Sequence, residues 1–452
     1  MNGVRAIVLA AGKGTRMKSA RPKMLHALCG RPMLWYVLRA LHDAAVTDLV
    51  VVTSGDLESH VARVAGDAGH TAPRVVRQEP QLGTGHAVQV ALAVLPSRDG
   101  TVLVINGDMP LIEADVVRRV VDARDTALAV LTARMPLPSS FGRIIRSGER
   151  VERVVEERDA SSDERAIDEM NAGLYAYDER KLRAAIAELG RDNAQGEYYL
   201  PDTIGWLVAR GETVLPVRAD DYRSVLGVND RVELAEAARR LNERLCERHM
   251  RAGVTIADPA TTYLEPDLEI ARDVTILPNT TIGRRSKIGP DSEIGPNARL
   301  QNAMIGRQVV VTDSIVVDSE IGDFSIVGPW AHVRKGTVLG TGVRIGNFVE
   351  TKAATLAPGV KAGHLSYLGD TSIGKRTNIG AGTITCNYDG EKKNRTDIGE
   401  DAFIGSNSSL VAPVRIGDRA LTGAGAVVIR DVPDGERVAG NPAKPLPRKA
   451  QE

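Results

Sequence analysis

An aliphatic residue recurs at every sixth position through most of the second half of the sequence. This period fits neither an amphipathic helix, which repeats about every 3.6 residues, nor a strand that alternates between two faces. It fits a coil of short strands in which each hexad forms one face and its aliphatic residue points inward. The pattern therefore predicts a parallel β-solenoid. The positions that keep the period are Ile270, Ile276, Ile282, Ile288, Ile294, Leu300, Val309, Ile315, Ile321, Val327, Val333, Leu339, Ile345, Ile373, Ile379, Ile398, Ile404, Leu410 and Ile416.

Glycine follows the aliphatic residue in several hexads, as in Ile282-Gly283, Ile288-Gly289, Ile294-Gly295 and Ile345-Gly346. Because glycine adopts backbone conformations that are closed to other residues, we expect these glycines to form sharp corners. In so regular a coil, departures from the period should mark functional segments. The polar stretch from Asp389 to Thr396 is such a departure, and insertions in solenoids form loops on a binding face.

Length, charge and cysteine content limit the classes of protein to which this sequence can belong. Its 452 residues are too many for one core. Basic and acidic residues are equal at 58 each, so we expect no nucleic acid as a partner. Cys29, Cys246 and Cys386 are too scattered for a disulfide framework and fit a reducing cytoplasm. No apolar run is long enough to span a membrane, so we expect a cytoplasmic protein without membrane insertion.

Strands and helices alternate in the first half, which predicts a doubly wound α/β sheet. A helix near 231–250 follows, with Leu234, Ala238, Leu241 and Leu245 on one stripe. We therefore predict an α/β domain over 1–228, a linker helix over 229–251 and a solenoid domain with a C-terminal tail over 252–452.

A glycine-rich loop follows the first strand, VRAIVLAA at 4–11. Gly12 and Gly14 allow close approach of a phosphate, and Lys13, Arg16 and Lys23 supply positive charge. The alternative is a tight βα connection, since neither a dinucleotide fingerprint nor a Walker loop is complete. A later strand ends in Asn106-Gly107-Asp108, where a carboxylate can hold a cation beside phosphates or simply form a turn.

Several motifs of the first half resemble the sugar-phosphate nucleotidylyltransferases, which have a Rossmann-like fold. They are LAAGKGTRM at 9–17, RPK at 21–23, QLGTGHA at 81–87, NGD at 106–108, FGRI at 141–144, VEE at 155–157, an Asn171-Ala172-Gly173 turn, GEYYLPD at 196–202 and GVNDR at 227–231. Together with the hexads, they resemble the family of bacterial bifunctional N-acetylglucosamine-1-phosphate uridylyltransferases and glucosamine-1-phosphate acetyltransferases over nearly the full length.

That resemblance implies a set of binding residues in the first half. Nucleotide contacts would come from Leu9, Ala10, Gly12, Lys23, Gln78, Gly83 and Thr84. Gly142, Glu156, Asn171 and Tyr199 would hold the N-acetylated sugar, and Asp108 and Asn229 would bind Mg²⁺. Arg16 and Lys23 would offset repulsion between the two anionic substrates during uridylyl transfer from UTP. Asn106 and Pro201 depart from the tyrosine and threonine common at these positions, which puts two hydroxyl contacts in doubt.

The hexads resemble those of the hexapeptide acyltransferases, which form left-handed parallel β-helices and usually assemble as trimers. KAGHLSYLGD at 361–370 and TITCNYDG at 383–390 resemble the acetyltransferase half of the bifunctional family. An amine must lose a proton before it attacks a thioester, so we expect His364 to be the general base rather than a structural residue at a coil edge. Arg334 and Lys352 would bind the sugar phosphate, and Tyr367 and Asn378 the sugar. Acetyl-CoA would contact Asn387, Tyr388, Ser406, Ala424 and Asn441, with Lys444, Arg448 and Lys449 as candidates for its phosphates.

The resemblance implies a homotrimer that acetylates glucosamine-1-phosphate with acetyl-CoA and then transfers UMP from UTP to N-acetylglucosamine-1-phosphate. The product, UDP-N-acetylglucosamine, feeds peptidoglycan and other cell-envelope polysaccharides. One alternative is a single-activity sugar-nucleotide pyrophosphorylase whose hexads only oligomerise or regulate. Another is an inactive scaffold or sensor that binds a sugar nucleotide. The residues around His364 argue against the first alternative, and Lys23, Asp108, Asn229 and His364 argue against the second.

Overall fold

The computed structural model describes residues 3–446 and divides the chain into two compact units, Met1–Arg239 and Arg240–Glu452. Strands β1 to β11 of the first unit are Val4–Ala10, Ala27–Leu28, Arg31–Pro32, Asp48–Thr53, Arg74–Arg77, Thr101–Asn106, Leu128–Arg134, Arg143–Ser147, Arg150–Val155, Glu169–Asp178 and Val214–Arg218. Helices α1 to α8 are Met33–Asp43, Gly55–Asp67, Thr84–Ala93, Ala114–Asp122, Ser162–Arg165, Glu179–Ala187, Asp202–Val208 and Arg231–Arg251. Short 3₁₀ helices span Thr15–Met17, Lys23–Leu25 and Tyr222–Val225.

The central sheet of the first unit has the order β11-β7-β10-β6-β1-β4-β5. Neighbours pair in parallel except β10, which is antiparallel to both β6 and β7. Ile7 of β1 and Val104 of β6 share a core with Val88 of α3. Ala6 and Val8, the neighbours of Ile7 on β1, are also fully buried. Because successive residues of a strand point to opposite faces, both faces of the sheet are covered. The predicted doubly wound α/β fold is confirmed.

The ends of β1 and β6 lie side by side and position the loops of interest. Leu9 pairs with Asn106, and the Gly107 amide donates to the Leu9 carbonyl at 2.8 Å. The glycine-rich loop and Asp108 therefore leave the sheet at one edge, outside the carboxyl ends of parallel strands, where open α/β sheets bind ligands.

The second unit is a stack of short parallel strands in two ladders. One ladder contains Thr255–Ile256, Thr275–Ile276, Glu293–Ile294, Val310–Val311, Ile326–Val327, Arg344–Asn347, Lys361–His364, Asn378–Ile379, Phe403–Ile404, Leu421–Thr422, Arg437–Ala439 and the antiparallel Lys444–Pro445. The other contains Tyr263–Leu264, Glu269–Ile270, Thr281–Ile282, Lys287–Ile288, Arg299–Ile305, Ile315–Ile321, His332–Val333, Val338–Leu339, Glu350–Leu356, Tyr367–Ile373, Ile384–Cys386, Thr396–Ile398, Ser409–Val411, Val414–Ile416 and Val427–Val428.

The hexads form the coil as predicted. Ile276 pairs with Ile294 and Ile282 with Leu300, so one coil contains three hexads. The aliphatic residues of the period are buried, except Ile270, which is half-buried, and Ile315. A second residue of each hexad, such as Val274, also points inward. The predicted parallel solenoid is confirmed.

The prediction for Ile315 is wrong, because its side chain is 39% exposed while that of Val316 is fully buried. The strand Ile315–Ile321 pairs with Arg299–Ile305 so that Val316 lies beside Leu300 and Ile321 beside Ile305. Both strands turn a corner of the coil within their length. The inward residues on either side of that corner are five residues apart rather than six, as Leu300 and Ile305 are on one strand and Val316 and Ile321 on the other. Pairing with the preceding coil, rather than a strict period, sets the register here.

The role predicted for the hexad glycines is also wrong in part. Of the four glycines named above, only Gly295 has a positive φ, at 110°. A Cβ on Gly346 would lie 2.0 Å from the Gly363 carbonyl oxygen, and one on Gly289 would lie 2.6 Å from the Gly306 backbone. These two positions require glycine because the next coil passes too close for a side chain. Residues such as Asp273, Asn279 and Arg285 adopt the left-handed conformation at the corners.

Candidate active sites

A cleft of about 590 Å³ lies at the carboxyl ends of β1 and β6 in the first unit. It contains most of the residues that the sequence predicts for the nucleotide, for Mg²⁺ and for charge neutralisation. These are Leu9, Gly12, Arg16, Lys23, Gln78, Gly83, Thr84, Asp108 and Asn229. Ala10 instead lines a smaller neighbouring cleft, which shares Gly12, Lys13 and Lys23 with the first.

Lys23 stands at the centre of this cleft. Its ammonium nitrogen lies 2.7 Å from Asp108 Oδ2 and 2.8 Å from Asn229 Oδ1, so residues far apart in sequence converge on one point. The side chain is 8% exposed, and its stem passes over Gly14. A Cβ on Gly14, which has a φ of 61°, would lie 2.6 Å from the Lys23 Cβ. The second glycine of the loop therefore makes room for the lysine.

Gln78 also lines the cleft, and two contacts hold its side chain in place. Its amide nitrogen donates to the Gly83 carbonyl at 2.9 Å and lies 3.1 Å from His86 Nδ1. Gly83 has a φ of 104°, and a Cβ there would lie 2.6 Å from the Tyr198 carbonyl oxygen. A rigid amide beside exposed backbone suits recognition of a planar base. His86 acts here as a local hydrogen-bonding partner.

The predicted sugar-binding residues form a second group in the first unit. The backbone amide of Asn171 donates to the Gly142 carbonyl at 2.8 Å, and a Cβ on Gly142 would lie 3.2 Å from Glu156 Oε1. The segment Asn171 to Gly173 is not the turn that the sequence predicts. It lies within β10 at an irregularity of the ladder, with Gly173 at a φ of 79°. At this bulge the side-chain nitrogen Nδ2 of Asn171 donates to the Tyr175 hydroxyl at 2.6 Å.

Burial raises the pKa of Glu156, and the charges of Asp202 and Asp159 raise it further, while Arg143 opposes them. Burial also raises the pKa of Asp202. The Tyr199 hydroxyl accepts a hydrogen bond from Gln195 Nε2 at 2.6 Å. Because Gln195 lines the cleft beside β1 and β6, this contact connects that cleft with Tyr199 of the predicted sugar group.

Several residues that line the cleft were given no role from the sequence, among them Gln81, Gln195 and Glu197. Gln81 could have been found, since it is a polar residue directly before the Leu82-Gly83 turn, and its Nε2 donates to the Ala11 carbonyl at 2.5 Å. Asn106, one of the two unusual residues, also lines the cleft. A Cβ on Gly173 would lie 2.3 Å from its amide nitrogen, so Gly173 makes room for Asn106. Pro201 precedes α7 and is buried.

In the second unit, Tyr367 and Asn387 come together across neighbouring coils. Asn387 Nδ2 lies 3.4 Å from the Tyr367 hydroxyl and donates to the Asp370 carboxylate. A residue proposed for the sugar and one proposed for the coenzyme are thus neighbours. Sequence reasoning missed Asp370, although it ends the KAGHLSYLGD motif.

Two ammonium groups lie close together beside this pair. Lys393, on the polar insertion, lowers the pKa of Lys352 by hydrogen bonding and by charge repulsion, while Asp370 acts in the opposite direction. Arg334 contacts the Glu350 carboxylate, and Tyr367 pairs with Glu350 in the ladder. Mutually repelling cations on one surface favour a polyanionic ligand such as a phosphate. Lys393 was not predicted from the sequence, although its loop was.

His364 ends the strand Lys361–His364, where it pairs with Asn347, and its side chain is exposed. Its carbonyl accepts from the Ser366 hydroxyl at 2.8 Å. Ser406 and Ala424 lie at the same corner of two successive coils. Asn378 begins the strand Asn378–Ile379, and Tyr388 directly precedes the polar insertion, opposite Lys393. Asn441 follows the strand Arg437–Ala439. Arg448 and Lys449 lie outside the described residues. Within residues 3–446 no helix is both long and apolar enough to cross a membrane.

Comparison with known proteins finds relatives of both units of the chain. Family models match residues 6–195 (MobA-like NTP transferase domain), 264–362 (GMPPB C-terminal domain) and 395–430 (Bacterial transferase hexapeptide, six repeats). Three similar proteins are each called Bifunctional protein GlmU. That of Trichlorobacter lovleyi is 45% identical over 95% of this chain and 94% of its own, and that of Brevibacillus brevis 45% over 96% and 94%. That of Lactococcus lactis subsp. lactis is 47% identical over 95% and 93%.

Proposed function

The chain belongs to the GlmU family of bifunctional proteins, and on this premise we propose which substrates its two transferase activities use. Residues 1–228 transfer UMP from UTP to N-acetylglucosamine-1-phosphate and release pyrophosphate. Residues 252–452, joined to them by a linker helix over 229–251, acetylate glucosamine-1-phosphate with acetyl-CoA. The observation that carries the first assignment is the convergence of Lys23, Asp108 and Asn229 in the cleft.

Uridylyl transfer needs alignment and charge neutralisation rather than a covalent intermediate. A phosphate oxygen of the acceptor attacks the α-phosphorus of UTP, and the bond to the pyrophosphate oxygen breaks. The acceptor is already an anion, so no base has to activate it. Lys23 and Arg16 reduce repulsion between the two substrates, and the glycine-rich loop lets the backbone approach the phosphates. Gln78 with the backbone at Gly83 and Thr84 holds uracil, while Leu9, Ala10 and Gly12 contact the nucleotide.

The residues present fit Mg²⁺. Asp108 and Asn229 offer carboxylate and amide oxygens, which are hard donors, and one cation already lies within 2.8 Å of both in the form of the Lys23 ammonium. Among the described residues no group of three or more histidine, cysteine or acidic side chains forms a metal site. Two protein oxygens with substrate phosphates completing the coordination are typical of magnesium. When bound, Mg²⁺ would supply positive charge to the triphosphate.

The acceptor sugar lies against Gly142, Glu156, Asn171 and Tyr199. Glu156 and Asn171 offer a carboxylate and an amide for its hydroxyl and acetamido groups. Asn171 is buried and Glu156 half-buried, so their hydrogen bonds to the sugar are shielded from water in part and contribute to specificity.

Acetyl transfer requires a neutral amine. His364 removes a proton from the ammonium of glucosamine-1-phosphate, the nitrogen attacks the thioester carbonyl, and coenzyme A leaves as the thiol after taking up a proton. Arg334, Lys352 and Lys393 bind the sugar phosphate, and Tyr367 and Asn378 bind the sugar. The coenzyme lies along Asn387, Tyr388, Ser406, Ala424 and Asn441.

A cytoplasmic homotrimer is the proposed assembly. Trp330, Phe348 and Leu365 are 55%, 57% and 61% exposed and follow one another along a corner of the solenoid, where the Trp330 and Phe348 rings stack at 5.4 Å. Exposed apolar ladders of this kind mark interaction surfaces, and Leu365 adjoins His364. Packing of this corner against a second copy would bury the ladder. Sedimentation of the full chain as a trimer tests this assembly.

A single assay tests the proposed activities. Purified protein receives glucosamine-1-phosphate, acetyl-CoA, UTP and Mg²⁺, and free thiol and pyrophosphate are followed separately. Thiol should appear with glucosamine-1-phosphate and acetyl-CoA alone, and pyrophosphate should then require the acetylated product and UTP. Release of pyrophosphate from UTP and added N-acetylglucosamine-1-phosphate, with no thiol from glucosamine-1-phosphate and acetyl-CoA, would instead identify a single-activity pyrophosphorylase.

A further inference from the structure

A buried arginine lies next to two of the proposed sugar-binding residues. Arg143 follows Gly142, and its side chain is only 2% exposed. Its Nη2 lies 2.6 Å from Glu157 Oε2, and Glu157 follows Glu156. The immediate neighbours of the two sugar-binding residues are therefore joined to each other by an ion pair.

Strand geometry connects this ion pair to the sugar site. Arg143 pairs with Val155 where β8 begins and β9 ends, so Gly142 and Glu156 are the residues next to this pair. A Cβ on Gly142 would lie 3.2 Å from Glu156 Oε1. Because the Arg143–Glu157 ion pair joins the residues that follow Gly142 and Glu156, it restrains the separation of these two.

Arg143 also holds the segment that leads into the site. Its Nη2 donates to the Ser139 carbonyl at 2.9 Å and its Nη1 to the Phe141 carbonyl. Its Nε is buried without a hydrogen-bond partner within residues 3–446. Burying an incompletely satisfied guanidinium is costly, and an apolar side chain would fill the same space at less cost. The retained charge indicates a positioning role rather than a packing role.

We propose that Arg143 is a positioning residue for the acceptor sugar, holding Glu156 and the Gly142 backbone at the separation that the sugar requires. The inference rests on the proposed transfer of UMP to N-acetylglucosamine-1-phosphate. Arg143 does not belong to the described residues that line the nucleotide cleft, so its effect falls on the acceptor and not on UTP.

The test measures pyrophosphate release by the full chain while each substrate is varied against a saturating level of the other. Arg143→Gln and Glu157→Gln should each raise the KM for N-acetylglucosamine-1-phosphate by ~10-fold or more, with the KM for UTP changed less than about twofold. Arg143→Lys should recover part of the loss. The double variant should be no worse than the poorer single one, because neither member of the Arg143–Glu157 pair is then left without the other.

Arg183 provides a matched control in the same unit. It pairs with Glu179 at 2.9 Å and donates to the Leu92 and Leu95 carbonyls at 3.0 and 2.7 Å, the same pattern of bonds that Arg143 makes. Arg183→Gln should leave both KM values unchanged.

An unchanged acceptor KM in Arg143→Gln and Glu157→Gln, or an equal rise for both substrates, overturns the proposal. If Arg143→Gln does not fold, Glu157→Gln and Arg143→Lys give the same decision. If the unaltered protein releases no pyrophosphate from these substrates, the proposed function fails instead, so the two failures are distinct.

Discussion

The ammonium of Lys23 and the carboxylate of Asp108 are 2.7 Å apart, although they follow different strands of the sheet. Parallel pairing of Leu9 with Asn106 brings the two strand ends together, and packing of the lysine stem against Gly14 fixes its direction. The Lys23 ammonium and the carboxylate that we propose as a ligand of Mg²⁺ are thus in place before any substrate arrives. Preorganised charge of this kind needs no rearrangement as negative charge develops.

Lys23→Met keeps the length of the side chain and removes its charge. Pyrophosphate release should fall by ~10²–10³-fold, since one preorganised charge near the transferred phosphoryl group is lost. Lys181→Met is the matched control, because Lys181 makes a 2.6 Å ion pair with Glu212 on the surface of the same unit. Near-normal release by Lys23→Met would remove Lys23 from the mechanism.

Uridylyl transfer should lose efficiency in acid because of Glu156. Its folded pKa is raised by burial and by Asp202 and Asp159, so it takes up a proton at a higher pH than an ordinary glutamate. As pH falls, the kcat/KM for N-acetylglucosamine-1-phosphate should therefore begin to decline at a higher pH than the pKa of an ordinary glutamate. Asp202→Asn removes one raising charge and should move this decline to lower pH, and Glu156→Gln should abolish it. A decline that stays in place in both variants belongs to another group.

Gly346→Ala should destabilise the solenoid. The new Cβ would lie 2.0 Å from the Gly363 carbonyl oxygen of the next coil, and backbone cannot move aside easily. A loss of ~1–3 kcal/mol or more in the free energy of unfolding is typical of such overpacking. Gly363→Ala, one coil further, meets no described atom within 4 Å and should unfold like the unaltered protein. Urea denaturation of both variants makes the comparison.

The second unit should lose stability in acid through His249. Its side chain is 6% exposed, its Nε2 has no hydrogen-bond partner within residues 3–446, and burial together with the charge of Arg248 lowers its pKa from 6.5 to about 4. Between these values the unfolded chain binds a proton that the folded chain does not, so stability falls as pH falls, by at most about 3 kcal/mol. His249→Gln should flatten this part of the stability profile. His332→Gln, at a half-buried position, should not.

The sequence predicts which residues share a face but not which backbones pass close together. The period of six identifies one inward residue of each hexad, and every residue that it selects is buried except Ile270, which is half-buried, and Ile315. It fails at Ile315, where pairing with Leu300 and Ile305 sets the register. It also misassigns Gly346, since contact with the following coil depends on how the coils stack and not on local conformation.

The same limit applies to the sites. Motifs locate Lys23, Asp108 and Asn229, and the structure brings their side chains together. Motifs do not indicate Lys393, which reaches Lys352 only because the polar insertion folds back beside it. Arg143 and Glu157 lie within recognised motifs, yet their ion pair becomes visible only when β8 and β9 are paired.

The central claim is that two independent sites in one chain carry out the two transfers, and paired variants test it most directly. Thiol and pyrophosphate release are measured on the same preparations of the unaltered protein, Asp108→Asn and His364→Ala. Asp108→Asn should lose pyrophosphate release and keep thiol release, because it removes a carboxylate ligand of the cation. His364→Ala should lose thiol release by ~10²–10⁴-fold at neutral pH, partly recovered at higher pH, and keep pyrophosphate release. Loss of both activities in either variant, or of neither in both, would contradict the account.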